Sequence, residues 1–201
     1  MKARNAGSLF DAGAFQVLPM AMALVFGALA ACAGTYTWDG GGTDNNWLTA
    51  ANWSPDGAPA NDGTATLAFS GTNRTAAANN FAADTVFSGI SLLNNSAAGK
   101  TAAFTLSGNR LTLGGGLSTT TASSAITDTI SLNMLLSGTR TFAVNSSHHL
   151  AVSGVIGETG GSFGLTKTGS GTRTLTGAHA HSGTNIHSGG IPSCASTNNN
   201  G

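Results

Sequence analysis

Charge is what this sequence has least of. Of 201 residues, 8 are Lys or Arg and 8 are Asp or Glu, and the formal net charge is zero. Nucleic-acid binding calls for a clustered basic face, and so neutral a chain offers none. Seven carboxylates lie beyond the first thirty residues: Asp39, Asp44, Asp56, Asp62, Asp84, Asp128 and a lone Glu158. Glycoside hydrolysis needs two carboxylates held together across the scissile bond. Most of these Asp sit among Gly and Asn, where Asp is a turn residue. Cysteine is equally scarce. Cys32 and Cys194 could be bridged in an oxidising compartment, but two such distant cysteines make no disulfide framework. No catalytic residue, metal or cofactor is predicted.

Small residues dominate instead, with 29 Gly among abundant Thr, Ser, Ala and Asn. Disordered chains are usually charged and poor in β-branched residues; this one is neutral and Thr-rich, so it is expected to fold. Lys2 and Arg4 precede the apolar run "VLPMAMALVFGALAA" at 17–31, which ends in small residues. That is the pattern of a secretory signal peptide, and it falls short of the roughly 20 apolar residues of a membrane span. Residues 1–34 are therefore expected to form a signal-peptide helix. The chain is then exported, to the cell surface, the outer membrane or the extracellular space. "LAAC" at 29–32 leaves two readings open. Either Cys32 is lipidated as the first mature residue, or ordinary cleavage falls between Ala30 and Gly34. The membrane is touched only through export or a lipid anchor.

From Thr64 onward the chain reads as short β runs stopped by Gly or Asn: "TATLAFSG", "TVFSGISLL", "AAFTLSGNRLTLGG", "TISLNMLLSG", "RTFAVN", "HLAVSGVIG" and "TRTLTG". This is strand-and-turn punctuation, and helical spacing is nowhere sustained. Ser-Gly and Thr-Gly stops at Gly71, Gly89, Gly108, Gly138, Gly154 and Gly169 are separated by 18, 19, 30, 16 and 15 residues. Recurring units of that size point to stacked rungs. The predicted fold is all-β, a parallel β-helix or β-solenoid over 64–191, with an irregular tail at 192–201. The gap of 30 keeps an antiparallel sandwich open as the alternative.

Residues 35–63 differ. They hold all three Trp, along with Pro55 and Pro59. A stack exposes a strand edge at its first rung, so this segment is read as a Trp-rich N-terminal cap. The rival reading makes Trp38, Trp47 and Trp53 a sugar-stacking platform. "GGGTDNN" at 40–46 has the composition of a calcium loop without its spacing or closing acid, so a glycine turn is expected. His179 and His181, two apart, would face one side of a strand, and His187 could join them on a metal. With no acid near, the two are read as solvent-facing. His148 and His149 would point to opposite faces.

"TYTWDGGGTDNNWLTAANW" followed by "GLTKTGSGTRTLTGAHAHSGTNIHSGG" resembles bacterial proteins with the autotransporter-associated β-strand repeat. Gly164, Leu165, Thr166, Lys167, Gly169, Gly171, Thr172, Leu175, Gly177, Ala178 and Gly183 match that repeat, giving one copy at 164–191. His179 and His181 replace its usual Asn and Tyr. The resemblance implies the N-terminal part of a surface-exposed passenger, structural or adhesive, with glycans, extracellular matrix or other cells as partners. The alternative is a carbohydrate-binding module built on the Trp cluster.

Overall fold

A computed structural model of the chain describes residues 33–93, 102–120 and 124–194. The predicted signal segment, Cys32 and the residues after Cys194 lie outside these. The chain is a parallel β-solenoid of about five turns.

Two strands precede the stack, β1 (Thr35–Trp38) and β2 (Trp53–Ser54). The first rung is β3 (Thr66–Phe69), β4 (Ala76–Asn79) and β5 (Thr85–Phe87), and the second is β6 (Gly89–Leu92), β7 (Thr105–Gly108) and β8 (Leu111–Leu113). The third is β9 (Leu117–Thr119), β10 (Ile126–Ile130) and β11 (Met134–Leu136), and the fourth β12 (Arg140–Ala143), β13 (His148–Val152) and β14 (Ile156–Glu158). The fifth has β15 (Leu165–Thr168) and β16 (Thr172–Leu175), and β17 (Ile186–His187) and β18 (Ile191–Cys194) begin another turn.

Each rung adds one strand to each of three sheets. One is β17-β15-β12-β9-β6-β3-β1-β2, the second β18-β16-β13-β10-β7-β4, and the third β14-β11-β8-β5. Every pairing between successive rungs is parallel, which rules out the antiparallel sandwich; only β1 with β2 is antiparallel among the described strands.

The register explains the uneven glycine spacing. Thr66 pairs with Gly89 and Ile90 with Leu117, so one turn takes 23 residues and the next 27. The Ser-Gly stops occupy different corners: Gly71 follows β3, Gly108 ends β7 and Gly154 lies between β13 and β14. Corners stack tightly enough to demand glycine. A Cβ on Gly154 would collide with the backbone carbonyl of Leu132 in the rung before, and Gly108 sits at φ +100 against Asn79, a region that glycine alone enters without strain. Several runs read as single strands turn a corner; "TVFSGISLL" divides at Ser88 into β5 and β6. Residues 192–194, read as part of an irregular tail, belong to β18, which pairs with β16 as far as Cys194.

Inward side chains form apolar columns. Leu67, Ile90, Leu117 and Phe142 stack in the first sheet, Leu106, Ile130, Val152 and Leu175 in the second, and Leu111, Met134 and Ile156 in the third. All are buried, and each such side chain contributes about 1.5–3 kcal/mol of transfer free energy. The N-terminal end is closed by residues 35–63. β2 covers the outer edge of β1, Asn46 bridges Ala78 of β4, and the Leu48 N–H donates to Asn80 Oδ1 at 2.8 Å. At the other end Ile186 of β17 and Ile191 of β18 are exposed.

Candidate functional site

The three tryptophans are the first place to look, and the structure takes them out of reach of a ligand. Trp38, Trp47 and Trp53 are each 0% exposed. Trp38 and Trp53 meet edge to face at 5.2 Å, Trp47 and Trp53 at 6.5 Å, and all three surround Phe69 at 5.3 to 6.0 Å. The Trp53 indole N–H donates to the Trp47 carbonyl at 2.7 Å. A sugar stacks on an open ring face, and none is presented here. The platform reading of Trp38, Trp47 and Trp53 is corrected on that ground: the rings are the apolar plug of the cap.

"GGGTDNN" is a turn organised by Asp44. Its carboxylate accepts from the Asn46 N–H at 3.0 Å, the Thr49 hydroxyl at 2.7 Å and Asn52 Nδ2 at 3.3 Å. The Asn46 N–H, then Thr49, hold its pKa below the usual carboxylate value. With its oxygens engaged in holding the loop, Asp44 is a local strut. Asp39 and Asp62 cap turns in the same way, at Gly41 N and Thr64 N. Asp84 forms a two-pronged pair with Arg110 at 2.5 and 2.7 Å on the surface, and Arg110 lowers its pKa.

Asp128 departs from this pattern. It points into the core, fully buried, where Oδ1 accepts from the Phe104 N–H at 2.7 Å and Oδ2 pairs with His148 Nε2. His148 Nδ1 faces the Thr120 carbonyl at 3.3 Å, so both ring nitrogens are engaged and the pair ties the third rung to the fourth. His149, the next residue, faces outward and meets Thr174 Oγ1 at 2.7 Å. Reading the Asp as turn residues missed this pair. The signal was present in "ITDTI", where alternation places Asp128 on the face of Ile126 and Ile130.

The fifth rung requires a second correction. His179 and His181 were expected to face solvent, yet both are buried, as are Lys167 and Arg173. They occupy the inward positions because alternation continues through "GAHAH" although no strand forms there. Their ring centroids are 6.2 Å apart. His187 is exposed on β17. Among the described residues no group of three or more His, Cys, Asp or Glu could hold a metal ion.

Two shallow grooves mark the outer surface. One, on the third sheet, is lined by Arg110, Asn133, Leu135, Val155 and Glu158; the other crosses β10, β13 and β16 beside Thr127, Ser147, His149 and Thr172. Neither is lined by a pair of facing carboxylates. No helix among the described residues is long and apolar enough to cross a membrane. Compared with models of known families, with curated proteins and with solved structures, the chain matches none.

Proposed function

We propose that this chain is an exported cell-surface passenger segment of the kind that carries autotransporter-associated β-strand repeats, with a structural or adhesive, non-catalytic role. The observation that carries the reading is the ordered outer surface of the stack. Thr105, Thr129, Ala151, Thr174 and Ser193 lie in register along the second sheet, and Ser91, Ser118, Ala143 and Thr168 along the first, continuing through the buried Ala68 to Thr37. Strands spaced about 4.8 Å apart turn these into ladders of small, mostly hydroxyl-bearing side chains. A rigid rod with such faces suits repeated weak contact with glycans, matrix or other cells, where many contacts add through avidity. The apolar interior and the capped first rung supply the rigidity.

The test is to produce the full chain with an epitope tag in a bacterial host and follow it by fractionation and protease shaving of intact cells. Tag lost to external protease, with cells that adhere to immobilised glycans or matrix more than vector controls, supports the reading. A chain retained in the cytoplasm, with its N-terminal segment uncleaved, sinks the export half. Surface display without any gain in adhesion sinks the adhesive half and leaves a structural rod.

A further inference from the structure

The interior changes character at the fifth rung. Phe142 of the fourth rung is followed by Lys167, and Leu150 by Arg173. Beside Ile156 stands His179, whose Nδ1 accepts the Ile156 N–H at 3.1 Å. Lys167 and Arg173 are 0% exposed, His179 1% and His181 6%. An apolar column thus ends in a layer of basic groups.

Part of that layer is closed on itself. The Lys167 ammonium donates to the carbonyls of Gly169 and Gly189 at 2.9 and 2.7 Å, tying the fifth rung to the turn below. The imidazoles are not closed. The backbone N–H of Ile156 claims the Nδ1 lone pair of His179, so its proton sits on Nε2, and that buried N–H has no acceptor. His181 faces Asn185 Oδ1 through Nε2 at 3.0 Å, which leaves its Nδ1 buried without a partner. A buried polar atom left so costs about 1–3 kcal/mol, and such orphans in a folded protein call for a water or an ion.

The surroundings choose between ligands. Metal is disfavoured, since His179 presents a proton rather than a lone pair and Lys167 and Arg173 share the layer. The carboxylates are committed elsewhere: Glu158 is taken by the Ser182 hydroxyl and the Phe163 N–H, and Asp128 by His148. What fits a fixed N–H donor, a second ring nitrogen able to take up a proton, and neighbouring cations is an anion with more than one acceptor oxygen. We propose that His179 and His181 bind one small oxyanion of the phosphate, sulfate or carboxylate class. His179 donates from Nε2, and His181 takes one proton from solvent at Nδ1 and donates it to a second oxygen. Charge-assisted hydrogen bonds of this kind are roughly twice as strong as neutral ones.

The experiment is a titration of the full chain at pH 6 with sodium phosphate, sulfate and acetate against sodium chloride at equal ionic strength, read from the imidazole resonances by NMR. Saturable movement of the His179 and His181 signals, with His149 unmoved, is the expected result with at least one of the three. In that anion His179 should also titrate about one pH unit or more higher, because a nearby opposite charge favours the protonated ring. The arms that saturate identify the class. No movement beyond that in chloride overturns the proposal and leaves a bridging water between the rings. Equal movement at the remaining imidazole in His179→Asn or in His181→Gln places the ion elsewhere and overturns it too. Should either variant fail to fold, the wild-type titration still decides.

Discussion

Lowering the pH should loosen the C-terminal end of the stack before the rest, and His179 sets the window. Burial, then the neighbouring His181 and Arg173, push its pKa down from 6.5 to about 4. Between those values an unfolded chain binds a proton that the folded rung refuses, so stability rises with pH. The contribution is present above pH 6.5 and is lost as pH falls through 4. Each unit is worth about 1.4 kcal/mol, so the loss approaches about 3 kcal/mol. That is a large part of the roughly 5–15 kcal/mol that holds a domain folded. His187, although exposed, is lowered in the same direction by partial loss of hydration and by Arg173 and Lys167. Lys167 is also lowered, by burial and then Arg173.

The loss should be local, because rungs interact chiefly with their neighbours. Hydrogen exchange on the full chain at pH 7 and pH 4.5 should show β15 to β18 losing protection while β3 to β8 keep theirs. His179→Asn removes the titrating group and should flatten urea-unfolding stability between pH 6.5 and 4 by most of that difference. These measurements belong in chloride buffer, since a bound oxyanion would favour the protonated ring and narrow the window. A variant whose pH profile superimposes on the wild type would refute the argument. So would uniform loss of protection along the solenoid.

Phe69→Ala should cost about 3–5 kcal/mol, because the ring lies within 5.3 to 6.0 Å of Trp38, Trp47, Trp53 and Phe104; chemical denaturation measures it, and a loss under 1 kcal/mol would contradict the packed cap. Asp128→Ala should be destabilising by about 3–5 kcal/mol, since it strands His148 in the core, whereas Asp128→Leu with His148→Leu should cost less. A double-mutant cycle in urea decides, and additive losses would show that the two do not act as a pair. Tryptophan emission should be blue-shifted in the folded chain and unmoved by soluble polysaccharides, because all three rings are buried; a saturable change would restore the sugar-platform reading.

Much of this arrangement is written in the sequence as alternation. In "ITDTI", "LTKT", "TRTL" and "HHLAV" every second residue faces inward, and the same period carries Asp128, Lys167, Arg173 and His148 into the core beside Ile130, Leu165, Leu175 and Leu150. Reading Asp as a turn residue by type, and His179 and His181 as solvent-facing, overrode that signal. The partners were less legible than the orientation. Asp128 meets His148 across 20 residues of chain, and that distance depends on turn lengths that vary from rung to rung. β4 was missed for a related reason. "AAAN" has no β-branched residue, and its strand conformation comes from the ladder to Thr105–Gly108 on one side and the cap on the other. In a solenoid a neighbouring rung can impose a strand on residues that would not choose one, because any residue but proline can make the ladder bond. Composition therefore foretells the architecture better than it places each strand. The exceptions that matter for function are the inward positions where alternation delivers a polar group to an apolar interior.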